Sequence, residues 1–172
     1  MQLILGLDIV GVIIDRCRTE AMRTLWQDSE NYQDTPEVPG AIGSIHELWA
    51  SPLSPFQENI HLISRVKTPE GEGKTIQWLK ENRFFQRTGV PQENVIFCNE
   101  RFQKVEIAQS RGITHFVDDR LEVLGLMGGA ISYLYLLNKN PTDNTVIDES
   151  VITDISKDWK NLLPKLLSQT AD

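Results

Sequence analysis

Strand-like and helix-like patterns alternate along the chain. Leu3 to Val10 is nearly all apolar, the pattern of a strand covered on both faces. From Arg16 to Gln27, apolar Cys17, Ala21, Met22, Leu25 and Trp26 recur at helical spacing, with Asp15 placed to cap the helix. Asp28 to Gly40 is polar, carries Pro36 and Pro39, and reads as loop. Ile42, Ile45, Leu48 and Trp49 mark a second helix, ended by Ser51-Pro52 and Ser54-Pro55. Asn59 to Val66 is a second strand, residues 67–73 a loop, and Ile76, Trp78, Leu79 and Phe85 belong to the helix after it. Val95 to Cys98 is a short third strand. Phe102 to Arg111 is helical and closed by Gly112. Ile113 to Val117 is a fourth strand running into Asp118-Asp119. A short helix with Leu121, Val123 and Leu124 precedes Gly128-Gly129, and Ile131 to Leu137 is the fifth strand. In the tail, Trp159, Leu162, Leu163, Leu166 and Leu167 keep helical spacing, with a kink or break expected at Pro164.

This alternation predicts a single α/β domain over residues 1–172, a three-layer, Rossmann-like, parallel five-stranded sheet with helices on both faces. A small helical and loop insert occupies 16–40 and a helical tail 156–169. The stripe from Trp159 to Leu167 fits either this domain or a neighbouring subunit, and the oligomeric state stays open. At 172 residues the chain is long enough to bury a core without disulfide or metal staples.

Composition narrows the class. With 17 Lys and Arg against 24 Asp and Glu, the net charge is −7, which argues against nucleic-acid binding through a broad basic patch. Two cysteines, Cys17 and Cys98, suit a reducing compartment. The start has no basic region and meets Asp8 early, unlike a signal peptide, and no apolar run is long enough to span a bilayer. These features predict a soluble, cytoplasmic protein.

In open α/β sheets ligands bind beyond the carboxyl ends of the strands. Asp8 closes the first strand, Ser64 the second, and Asp118-Asp119 the fourth. Lys104 shares a helix face with Ile107 and Ala108, which turns it inward. Crowded carboxylates favour a hard divalent cation such as Mg²⁺. With a lysine, that cation can hold a phosphate while one carboxylate acts as nucleophile. Taken singly, each of these residues has a plainer reading: a cap, a loop serine or a solvated lysine.

Four segments together resemble the haloacid dehalogenase-like hydrolase superfamily. They are Leu7-Asp8-Ile9-Val10-Gly11-Val12, Ile60-His61-Leu62-Ile63-Ser64, Lys104, and His115-Phe116-Val117-Asp118-Asp119. The resemblance covers roughly residues 1–137. It implies Asp8 as phosphoryl-accepting nucleophile and metal ligand. The Val10 carbonyl and a carboxylate of Asp118 or Asp119 would complete the ligands to Mg²⁺. Ser64, Lys104 and the adjoining Arg65 would hold the phosphate of a small or macromolecular substrate. One departure stands out: the family's phosphatases carry a second Asp two residues after the nucleophile, to protonate the leaving group and activate water, and here that residue is Val10. Asp15, seven residues on, is a poor substitute because it is placed as a helix cap. A protein of this fold that binds without turnover is therefore the rival reading, and a flavodoxin-like module leaves Lys104 and Asp118-Asp119 unexplained.

The resemblance also implies an open site. Only 55 residues separate Asp8 from Ser64 and 39 separate Ser64 from Lys104, too few for a full cap domain. Residues 28–40 are the one stretch suited to a small lid. Gly71-Glu72-Gly73-Lys74-Thr75 evokes a phosphate loop, but Thr68 stands where that motif needs glycine. Lys74 is still placed to meet an anion. His61 and His115 read as core histidines, and Cys98 as a buried thiol rather than a nucleophile.

Overall fold

The computed structural model describes residues 2–170, so Met1, Ala171 and Asp172 of the expected domain lie outside it. Six parallel strands form one sheet in the order β3-β2-β1-β4-β5-β6. They are β1 Leu5–Leu7, β2 Ile60–Arg65, β3 Val95–Cys98, β4 His115–Asp118, β5 Tyr133–Leu137 and β6 Asp154–Ser156. The helices are α1 Glu20–Gln27, α2 Ala41–Ala50, α3 Pro69–Glu81, α4 Phe84–Thr88, α5 Arg101–Ser110, α6 Leu121–Met127 and α7 Trp159–Leu167. Sequence order runs outward one way from β1 to β3 and the other way from β4 to β6. The strand order therefore reverses between β1 and β4, and a crevice opens at their carboxyl ends.

Strand alternation divides the core in two. Leu5, Leu7, Leu62, Val117, Tyr135 and Leu137 pack with α2, α3, α4 and α7. Ile63, Phe116, Leu134 and Leu136 pack with α5 and α6. Gly6 has no room for a side chain, since a Cβ there would sit 2.4 Å from the Phe116 ring.

The structure corrects several expected boundaries. The sheet has a sixth strand, β6, paired with β5 from Tyr135–Asp154 to Leu137–Ser156. Residues 69–73 are not loop but the first turns of α3, with Thr68 as N-cap accepting from Gly71 N at 3.1 Å and Pro69 at the first helical position. Helix α1 begins at Glu20 with Thr19 as its cap, so Asp15 caps nothing. Pro164 does not interrupt α7. It lies on the exposed side of the helix, where its missing N–H leaves the Lys160 carbonyl without that partner. Residues 28–40 are pinned rather than lid-like: Trp78 Nε1 donates to the Thr35 carbonyl at 2.8 Å, and Val38 is buried. Lys74 packs on the end of α1. Its ammonium donates to the Trp26 carbonyl and lies 4.6 Å from the Trp26 ring centroid. Helix α7 covers its own domain, burying Trp159, Leu162 and Leu166. Among the described residues, no helix is long and apolar enough to cross a membrane.

His115 is a core histidine, its ring stacked on Tyr133 at 4.4 Å and edge-on to Phe56 at 4.9 Å. Burial, partly offset by Gln169, pushes its pKa down to about 4. The unfolded chain takes up that proton near pH 6.5 while the native ring stays neutral. Stability present above pH 6.5 is thus lost as pH falls towards 4. Against a His115→Phe variant, the wild type should lose roughly 1–2 kcal/mol more between pH 7 and 4.5, with solvent screening softening the full shift. Urea midpoints measure this, and parallel pH profiles for the two proteins would refute it.

Candidate active site

The ladder between β1 and β4 continues past β1, with Asp8 N donating to the Val117 carbonyl at 3.0 Å. This sets Asp8 beside Asp118. The chain then folds back on itself, Ile13 N donating to Ile9 O at 2.7 Å and Gly11 N to Ile14 O at 2.8 Å. Trp159 Nε1 of α7 donates to the Val12 carbonyl at 2.9 Å and fixes this loop from the side. Gly11 has φ +101°, and a Cβ there would lie 2.3 Å from Asp119 Oδ2. Only glycine lets the loop approach that carboxylate.

Lys104 is 2 % exposed, on the face of α5 that also buries Ala108. Its ammonium lies 2.8 Å from Asp118 Oδ2 and 3.0 Å from Asp8 Oδ1. Asp118 Oδ1 accepts from Arg120 N at 3.0 Å, and Asp119 Oδ2 accepts from Asn140 Nδ2 at 3.0 Å. Ser64 and Arg65 at the end of β2, together with Val10, line the same small cleft, of about 60 Å³. All seven residues singled out from the sequence, Asp8, Val10, Ser64, Arg65, Lys104, Asp118 and Asp119, are therefore gathered at one rim.

The electrostatics favour a cation. Asp8, Asp118 and Asp119 each offer an oxygen, all within 4.8 Å of one another. Burial pushes Asp118 up to about 6, against the pull of Lys104. Burial, then the neighbouring Asp118 and Asp8, raises Asp119 well above its ordinary value. For Lys104 burial acts downward, but Asp118 and Asp8 outweigh it and raise its pKa. Among the described residues, Asp119 Oδ1 is buried without a hydrogen bond, and Asp8 Oδ1 meets only the Lys104 ammonium. The three carboxylates share one buried ammonium, with Arg120 as a further cation acting on Asp119. A divalent cation with oxygen ligands fits this donor set.

Asp15 stands apart from this group. It is fully buried, does not line the cleft, and pairs with Arg18 at 2.7 Å. Cys98 is buried, its thiol pushed up by burial and placed 3.8 Å from the Ser64 carbonyl. Sequence reasoning missed Arg16, Arg101 and Arg120, which also line the cleft, and Asn140, which holds Asp119. Three of the four follow a strand end closely: Arg101 after β3, Arg120 after β4 and Asn140 after β5. The ends of β3 and β5 carry the signal for Arg101 and Asn140, while Arg120 directly follows the acidic pair that closes β4.

No protein-family model and no curated protein matches the sequence. Solved structures do resemble it. A D,D-heptose 1,7-bisphosphate phosphatase from B. bronchiseptica, in complex with magnesium and phosphate, has a TM-score of 0.66 at 15 % identity, over 99 % of this chain and 100 % of that one. A haloacid dehalogenase-like hydrolase from Burkholderia xenovorans LB400 has a TM-score of 0.59 at 10 % identity, over 99 % of each chain. At such identities the likeness is one of fold.

Proposed function

We propose, from the premise that this chain has the fold of the haloacid dehalogenase-like hydrolases, that it transfers a phosphoryl group from a phosphate ester to Asp8. The observation that carries this reading is the meeting of Asp8, Lys104 and Asp118 in one buried cluster, within 3.0 Å of each other through the ammonium.

The Asp8 carboxylate attacks phosphorus; a bond from its oxygen to phosphorus forms, and the bond to the leaving oxygen breaks. Lys104 orients Asp8 and, with the Ser64 hydroxyl and Arg65, balances charge on the phosphoryl oxygens. Mg²⁺, when bound by Asp8, the Val10 carbonyl and Asp118 or Asp119, supplies further positive charge against those oxygens. The leaving oxygen takes its proton from water, because Val10 has none to give. The aspartyl-phosphate then waits for water that no neighbouring base activates.

This predicts a burst. With Mg²⁺ and an activated aryl phosphate, whose leaving group needs little protonation, release should begin with about one phenolate per chain and then slow. Asp8→Asn should abolish both phases. Release that persists in Asp8→Asn would sink the reading. A second reading rests on Val10 itself: a protein of this fold that binds a phosphorylated ligand without turnover. It predicts Mg²⁺ and phosphate binding with no Asp8-dependent release.

A further inference from the structure

Beside the cleft that holds Asp8 lies a hollow of about 190 Å³, lined by Arg16, Arg23, Trp26, Arg120, Asn140 and Thr142. Arg16 and Arg120 line both cavities, so the hollow continues from the cleft that holds Asp8. Asn140 forms the partition, its amide donating to Asp119 Oδ2 at 3.0 Å and contacting Cys17 Sγ at 3.3 Å. Arg23 is held by the Cys17 carbonyl, which accepts from its Nη1 at 3.3 Å.

The charge here runs against the rest of the molecule. The chain carries −7 overall, yet three guanidinium groups share this one hollow. No carboxylate among the described residues lies within ion-pairing distance of Arg16, Arg23 or Arg120; the arginines that do pair are Arg18, Arg87 and Arg101. Guanidinium groups recognise phosphate and carboxylate through forked, charge-assisted hydrogen bonds. Asn140 and Thr142 add polar contacts, and buried Trp26 gives the hollow an apolar wall. A hollow of about 190 Å³ suits a compact anionic group.

We propose that this hollow binds a second anionic group of the substrate, a phosphate or carboxylate carried a few bonds away from the phosphate that Asp8 attacks. The proposal rests on the phosphoryl-transfer reading and narrows its substrate class to small, doubly anionic phosphate esters.

Calorimetric titration in the presence of Mg²⁺ tests it with three probes: propylphosphonate, 1,3-propanediphosphonate and 3-phosphonopropionate. At least one doubly anionic probe should bind ~10-fold or more tightly than propylphosphonate, as one or two charge-assisted hydrogen bonds provide. Which of the two binds better tells phosphate from carboxylate as the second group. In Arg23→Gln the ratio should fall towards one, and Arg23→Lys should keep part of it. Unfolding temperatures show whether each variant is folded. Equal affinity for all three probes, no binding of any, or a ratio untouched by Arg23→Gln in folded protein would overturn the proposal. Asp8-dependent phenolate release on the same preparation separates the two claims. An Arg23-dependent preference without release leaves the hollow and removes the hydrolase; release without the preference does the reverse.

Discussion

Val10→Asp should raise Mg²⁺-dependent hydrolysis of an alkyl phosphate by about 10²–10⁴-fold, the usual contribution of a general acid and base. The structure accommodates the change. Val10 is half-buried and lines the cleft, and the loop around it is fixed by backbone hydrogen bonds that do not involve its side chain. Arg16 and Arg120 line the same cleft and offset the added charge. The gain should be larger for an alkyl than for an aryl ester, because the poorer leaving group depends more on protonation. The burst should also disappear, as the new carboxylate activates water. Adding Asp8→Asn should erase the gain. Steady-state rates on the two ester classes check this. A variant that folds, binds Mg²⁺ and gains nothing would move the balance to the binding reading.

Lys104→Met should destabilise the protein by about 3–5 kcal/mol, the cost of leaving buried charge without its partner. Methionine keeps the length of the apolar stem, so packing changes little and the loss reports the ammonium. For a domain of this size that is a fall of roughly 10 °C in the unfolding midpoint. Two conditions should reduce the deficit. Mg²⁺ replaces the missing positive charge beside Asp8 and Asp118 and should recover much of it. Lowering the pH protonates Asp118, which burial already holds at about 6 beside Lys104 and which rises further once that ammonium is gone, so the protonated group then needs no cation. Thermal melts with and without Mg²⁺, at pH 5.5 and 7.5, measure both. A variant as stable as the wild type at pH 7.5 without Mg²⁺ would contradict the buried-cluster description.

The parts of the fold legible in the sequence are those where burial dominates. The central strands are apolar on both faces, and their helices bury clear stripes. The site was legible for the same reason, because Asp8, Ser64 and Asp118-Asp119 interrupt apolar runs just where a parallel sheet exposes its ends. What escaped follows other physics. Edge strand β6 is Asp-Ile-Ser with Ile155 53 % exposed, so burial leaves no pattern to read. Gly71 and Gly73 argue against a helix start, yet a Cβ at Gly71 would sit 2.5 Å from the Val66 side chain, so close approach favours glycine there over a better helix former. The arginine hollow draws on segments more than a hundred residues apart, and no local spacing marks it.

The hydrogen bond from Trp159 to Val12 spans 147 residues. On a chain synthesised from its amino end, the loop that presents Asp8 emerges early and lacks this partner until α7 follows. Contacts of such long range form late in folding. The loop after β1 should thus gain this anchor last, once the sheet that sets Asp8 beside Asp118 has assembled. A nascent chain stalled before Trp159 would carry every residue of the rim and hold its leading loop through backbone hydrogen bonds alone, without the bond from the side.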